Sequence, residues 1–360
     1  MSKKKNKKSA SSVLPEEFLE RLTSIVGLSY FEQIKKTFVQ RPTTFRVNTL
    51  KAKREEILEI LQQQGFKIQR VQWYKDAFIL LNKSKRELTE LNIYTEGKIY
   101  IQSLASMVPP LILGPQPGDK VLDLTAAPGS KTSEIAALMN RTGELVANDN
   151  NKVRFFKLKH NLEMLGVIDA ILPLGKGEAE GVDEKQKSTT PTPPFQGGEK
   201  SWKVLLRMEH GCALAREYPH YFDKILLDAP CSAEARFVIG DPKSTGYWKE
   251  RKIKEMAYKQ WQLLLGAWSA LKPGGTMVYS TCTFAPEENE LQITKFMERN
   301  EDAEIQDIKK ILDIGYLPIT KEFKGKKVNE EVVDKALRIK PTGEIEGFFV
   351  VKIRKMMTNI

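Results

Sequence analysis

From Asp119 onward the chain alternates short apolar runs with stretches of helical spacing. "KVLDL" precedes "SKTSEIAALMN", "GELVAN" precedes "KVRFFKLKHNLEMLG", and "DKILLD" precedes "IKEMAYKQWQLLLGAWSAL". After a "KPGG" turn, "TMVYST" precedes "EENELQITKFMER". Short runs that are apolar throughout suit strands covered on both faces, and a helix after each strand returns the chain to lay down a parallel neighbour. The pattern predicts an α/β fold, a doubly wound Rossmann-like sheet, within a domain spanning 102–355.

Residues 14–101 read as a small α+β module. "PEEFLERLTSIVG" and "FEQIKKTFV" have helical spacing, the first opened by Pro15, while "TTFRVNTL" and "KIQRVQW" alternate as strands. Between those strands "KREEILEILQQQGF" is an amphipathic helix closed by Gly65. A strand–helix–strand unit exposing Arg41, Arg46 and Asn48 suits RNA contact, and a structural cap on the larger domain explains the same spacing equally well.

Two segments carry too little apolar material to pack. The arm at 1–13 holds five lysines and is expected to be disordered and available to phosphates. The Gly, Pro, Thr and charge-rich stretch at 175–200 is expected to be a disordered surface insertion. Net charge is +11, from 57 basic and 46 acidic residues, which favours a polyanionic partner such as RNA. No secretory h-region and no apolar run of membrane-spanning length is present. Three cysteines without CxxC spacing signal neither a disulfide framework nor a zinc site, and "EHGCA", with His210 and Cys212, reads as non-ligand. A cytoplasmic, monomeric, metal-free protein without membrane attachment is expected.

The loop in "VLDLTAAPGSKT" lies between the first strand of the sheet and its helix, where α/β sheets bind ligands. A dinucleotide fingerprint needs GxGxxG, and this loop holds only Gly129. A Walker A loop needs glycines where Thr125 and Ser130 stand. An adenosyl group bearing a sulfonium has no pyrophosphate and does not demand those glycines. Asp149, ending the strand "ELVAND", sits where an acid accepts hydrogen bonds from ribose hydroxyls.

Two of the three cysteines end later strands on the same rim, Cys231 in "LLDAPCS" and Cys282 in "YSTCT". A lone cysteine is more often a small buried hydrophobe; two on the catalytic rim, one after Asp228, point to chemistry. Methylation at carbon-5 of a pyrimidine needs a thiolate added at carbon-6, because the ring carbon is not itself nucleophilic. A free thiol titrates at about 8.5, so the nucleophile needs an electropositive neighbour, for which Lys131 is the candidate. Asp228 is placed to contact the ring nitrogen and exocyclic amine.

With these residues in place, the chain resembles the Sun/Nop-type RNA (cytosine-5)-methyltransferases over nearly its whole length. "RPTTFRVNTLK", "YIQSLASMVP", "LDLTAAPGSKT", "LLDAPCS", "LKPGGTMVYSTCT" with "EENE", and "GFFVVKIRK" are each similar to blocks of that family. The loop and N-terminal layout are most like a bacterial branch acting on small-subunit ribosomal RNA; transfer RNA is the alternative substrate. The resemblance implies that Cys282 is the nucleophile and Cys231 assists later steps such as product release. It further implies that Thr125, Ala126, Ala127, Pro128, Gly129, Ser130 and Lys131 cradle S-adenosyl-L-methionine, Asp149 holds its ribose, and Asp228 lies between cofactor and cytosine. The chain departs from the family at "HGCA", where Cys212 falls near the usual adenine-contacting acid, and at Ala235, where glycine is frequent. Two rivals remain: a non-catalytic RNA-binding assembly factor, and a redox protein using Cys231 and Cys282.

Overall fold

The computed structural model describes residues 14–169 and 201–357, so the arm read at 1–13 and the insertion read at 175–200 lie outside the described residues. Two helices come first, α1 (Glu16–Val26) and α2 (Leu28–Lys35). Gly27 separates them, its φ of 75° allowing the chain to turn within one residue. The N-terminal module follows with β1 (Thr44–Val47), α3 (Arg54–Gln63), β2 (Ile68–Arg70), β3 (Ala77–Leu80), α4 (Lys85–Thr89), α5 (Asn92–Thr95) and β4 (Ile99–Ile101). Its strands form an antiparallel sheet ordered β2-β3-β1-β4, closed over a core that includes Phe45, Val47, Ile57, Leu61 and Phe78.

Arg46 and Asn48 are not the exposed RNA contacts expected of them; both are buried. Because β1 is an inner strand, alternation turns Phe45 and Val47 into the module's own core and Arg46 toward the larger domain. A buried guanidinium must find acceptors. Arg46 finds Gln102 Oε1 at 2.9 Å and Ser133 Oγ at 2.7 Å. The Asn48 amide donates to the carbonyls of Gly97 and Leu165, each at 2.8 Å. These residues fasten the module to the catalytic half. Arg41 is half-buried and donates to the Thr37 carbonyl at 3.0 Å.

The larger half runs through α6 (Leu104–Leu113), β5 (Lys120–Asp123), α7 (Ser130–Leu138), β6 (Gly143–Asn148), α8 (Lys152–Met164), β7 (Trp202–Arg207), α9 (Gly211–Glu217), β8 (Phe222–Asp228), α10 (Pro242–Thr245), α11 (Glu250–Ala270) and β9 (Leu271–Thr281). It continues with α12 (Glu290–Arg299), β10 (Ala303–Gln306), β11 (Tyr316–Leu317), β12 (Glu322–Phe323), β13 (Lys326–Lys327), α13 (Glu330–Lys335), β14 (Leu337–Ile339) and β15 (Phe348–Lys355). The main sheet is ordered β11-β14-β15-β9-β8-β5-β6-β7, with β10 added beside β15. Strands β9, β8, β5, β6 and β7 are parallel, as the alternation predicts. Successive residues of β5 serve opposite layers. Val121 packs with α6, α7 and α8, and Leu122 with α9, α11 and α12. The strand order reverses between β5 and β8, which opens the crevice that such sheets use for ligands.

Two features differ from the sequence reading. The "KPGG" turn is an irregularity inside β9, where the register with β8 shifts between Phe222 and Lys224. Gly275 leaves room there for the Asp223 carbonyl, which an added Cβ would meet at 2.9 Å. Beyond β9 the sheet also gains antiparallel strands that no helix separates, so the α/β rhythm does not announce them. Arg338 of β14, buried with Glu290 of α12, holds this addition to the rest. Among the described residues no helix is long and apolar enough to cross a membrane.

Replacing Asn48 by Ala removes the donor from two buried carbonyls. It should lower the unfolding free energy by about 2 kcal/mol, read from urea denaturation. An unchanged midpoint would contradict the fastening role.

Candidate active site

At the crevice, β5 ends in the loop Leu124–Gly129 and α7 begins at Ser130. Gly129 turns the loop at a φ of 103°, and an added Cβ would press on Leu158 Cδ1 at 3.1 Å. The Ala126 N–H donates to the Asn148 carbonyl at 2.8 Å, tying the loop to β6. In the first turn of α7, Lys131 points back across the rim. Its Nζ lies 2.7 Å from Asp228 Oδ2 at the end of β8 and donates to Ser106 Oγ of α6, also at 2.7 Å. Ser280 of β9 donates to the other Asp228 oxygen at 2.9 Å. Four elements thus converge on one ion pair.

The two rim cysteines lie together. Cys231 Sγ and Cys282 Sγ are 3.3 Å apart, and both thiols are free. Their environments push them in opposite directions. The hydrogen bond from Cys231 holds the Cys282 thiol below its ordinary pKa, and the Arg236 charge helps against the opposing effect of burial. The same hydrogen bond, followed by burial, raises Cys231 well above the ordinary range. Cys231 is therefore the proton holder and Cys282 the sulfur that ionises more readily. The cation acting on Cys282 is Arg236, whereas Lys131 is committed to Asp228.

The floor beneath the thiols is polar, yet nearly every group is satisfied. Ser232 Oγ and Thr283 Oγ1 are 2.7 Å apart, and Glu234 Oε2 accepts from Thr283 Oγ1 at 2.8 Å and from the Phe284 N–H at 3.1 Å. Glu288, from the "EENE" run, accepts from the Ser232 N–H at 3.0 Å and Gln260 at 2.8 Å. Burial pushes its carboxyl up to about 8.

Asp149 is buried at the end of β6 and faces the same cavity. It accepts from the Asn151 N–H at 3.0 Å and pairs with Arg154 at 3.2 Å, while Arg154 also donates to the Ala127 carbonyl at 2.6 Å. The cavity, of about 930 Å³, brings together Thr125 through Pro128, Ser130, Lys131, Asp149, Asp228, Cys231 and Cys282. Gly129 shapes the loop from behind. Tyr100, Gln102 and Ser103 add a wall from the end of the N-terminal module.

Cys212 does not stand in this wall; His210 and Gly211 do. Cys212 packs instead toward α11, where a Cβ on Gly266 would meet its Cα at 3.3 Å. The shift along α9 is a single residue, enough to turn a side chain from cavity to helix. Ala233 takes a φ of 57°, the conformation that favours glycine, while Ala235 is buried in a short 3-10 turn. Sequence reasoning missed Arg236 and Arg154. Arg236 had a signal, being the lone cation in the small-residue loop "PCSAEARF"; Arg154 had none beyond a basic residue near a strand end.

One buried atom bears on what the cavity holds. Asp123 accepts from Thr132 at 2.7 Å through Oδ2, but its Oδ1 has no partner, and burial raises the carboxyl to about 7. A ligand bringing a donor or a cation would complete it. A cavity at the switch point of a doubly wound sheet is where such folds hold a nucleoside-type cofactor. Among the described residues no cluster of His, Cys, Asp and Glu suits a metal ion.

The chain belongs to the 16S rRNA methyltransferase RsmB/F family, which it matches over residues 110–187 and 204–354. Residues 14–104 match the N-terminal domain of 16S rRNA methyltransferase RsmF. The chain is similar to a tRNA (cytosine(49)-C(5))-methyltransferase of Pyrococcus abyssi, at 33% identity over 88% of each chain. It is 34% identical to ribosomal RNA small subunit methyltransferase F of Vibrio vulnificus across 95% of its own length, but spans only 64% of that relative. A solved methyltransferase homolog protein from Pyrococcus horikoshii superposes with a TM-score of 0.73 at 30% identity, covering 95% of this chain and 100% of that one.

Removing the Arg236 charge should raise the Cys282 pKa. Iodoacetamide labelling of Arg236→Ala followed against pH should show its Cys282 midpoint displaced upward from wild type. Coincident curves would refute the electrostatic assignment.

Proposed function

We propose that the protein transfers a methyl group to carbon-5 of a cytosine in RNA through a transient bond between Cys282 and that base. The observation that carries the reading is the pair of free thiols at 3.3 Å beside the Lys131–Asp228 ion pair. S-adenosylmethionine, when bound, supplies an electrophilic methyl group. Asp149, Asp123 and the loop Thr125–Lys131 are the residues that hold it.

The chain's own work is nucleophilic and electrostatic. The Cys282 thiolate adds to carbon-6, and the carbon-5–carbon-6 π electrons become available at carbon-5. Asp228, fixed by Lys131 and Ser280, accepts from the exocyclic amine and orients the ring, and the adjacent Lys131 ammonium offsets the negative charge that develops as the sulfur adds. Once carbon-5 is methylated, its proton passes to water in the open cavity, the electrons left behind restore the carbon-5–carbon-6 double bond, and the Cys282 sulfur leaves as thiolate. Cys231, which keeps its proton, hydrogen-bonds the departing thiolate and so favours release. The cytosine has to leave its stack to reach sulfur at the bottom of a cavity.

The match of residues 14–104 to the RsmF N-terminal domain favours small-subunit ribosomal RNA as substrate. A transfer RNA has its own support, since the chain spans 88% of the Pyrococcus abyssi enzyme but 64% of the Vibrio one. Incubation with methyl-labelled S-adenosylmethionine and unmodified transcripts of each RNA separates the two. Wild type should label one of them at cytosine and Cys282→Ala neither, a loss of at least about 100-fold; equal labelling by Cys282→Ala would sink the covalent mechanism. Cys231→Ala should instead accumulate protein–RNA adduct on denaturing gels.

A further inference from the structure

The segment from Asp241 to Gln262 carries six cations against three carboxylates. The carboxylates are occupied: Asp241 caps α10, Glu250 is held by Arg21 and Lys324, and Glu255 by Lys252 and Lys259. Lys243, Lys249, Arg251 and Lys254 remain exposed with no carboxylate partner among the described residues. On α11 the exposed positions Arg251, Lys254, Tyr258 and Gln262 recur at three- and four-residue intervals and share one face.

That face runs to the catalytic cavity, whose mouth Tyr258, Lys259 and Gln262 help to form. Tyr258 is 69% exposed, and Tyr247, on the turn before α11, is 50% exposed. Neither side chain makes a hydrogen bond or ring contact among the described residues. Tyr247 lies within the electrostatic reach of both thiols and Arg236. Unpaired cations alternating with free aromatic rings have the chemistry of a single-stranded nucleic acid track, in which phosphates meet the charges and bases stack on the rings. A duplex offers no free base faces to stack.

We propose that this face of α11, with Tyr247, is where the single-stranded RNA flanking the target nucleotide docks, one neighbouring base stacking on Tyr258 and the backbone following Lys254 and Arg251. The inference rests on the proposed RNA chemistry but is separable from it.

The test uses the full chain and a short fluorescein-labelled single-stranded RNA with one central cytosine, titrated by anisotropy across KCl concentrations. Tyr258→Ala should weaken binding about 5- to 140-fold. Arg251→Gln with Lys254→Gln should reduce the slope of log K against log salt by about 1.4. Circular dichroism melts should match wild type in every variant. Variants that bind this RNA like wild type overturn the docking face, even if wild type still methylates RNA. A wild type that binds the strand and loses it in the variants, yet methylates no transcript, upholds the face and removes the enzymatic reading.

Discussion

The ion pair between Lys131 and Asp228 is the constraint on which the site depends. It spans the point where the strand order reverses, joining the first turn of α7 to the end of β8 at 2.7 Å. Ser106 and Ser280 bring α6 and β9 to the same two side chains. Lys131 and its shell are largely screened from water, so breaking the pair would leave a buried charge uncompensated, a loss of several kcal/mol. Because Asp228 precedes Cys231 by three residues and Ser280 precedes Cys282 by two, fixing that carboxylate also fixes where both sulfurs emerge.

The N-terminal module takes part in the same arrangement. Arg46 donates to Ser133 in the first turn of α7, and Gln102 links Arg46 to Glu134. Burial raises the Glu134 carboxyl to about 8. The module that covers one wall of the cavity is therefore bonded to the helix that carries Lys131. Two of the three residues expected to contact RNA on that module, Arg46 and Asn48, instead hold the halves together.

Much of this was legible in the sequence. Apolar runs at β5, β6, β8 and β9 gave away the parallel strands because both faces of such strands are covered. The loop at Thr125–Lys131 and both rim cysteines were legible because function overrides packing there: a thiol at a strand end is not needed by the core. What stayed hidden depends on neighbours. Arg46 and Asn48 read as exposed because alternation assigns faces without saying what covers them. Arg236 and Cys212 show the limit of local spacing, since whether a side chain meets a thiol or a helix is decided by one residue of helical phase. The antiparallel strands after β9 have no intervening helices and so break the rhythm from which the rest was read.

In the proposed reaction, residue 282 supplies the sulfur that bonds to the base, with residue 231 holding a proton beside it. An RNA substrate carrying 5-fluorocytosine cannot lose a proton from carbon-5, so the bonded species cannot break down along the normal route. Tandem mass spectrometry of the protease-digested complex formed with that RNA and S-adenosylmethionine should place the nucleotide on the peptide containing Cys282. A nucleotide on Cys231, or no crosslinked peptide from a complex that has consumed S-adenosylmethionine, would contradict the account.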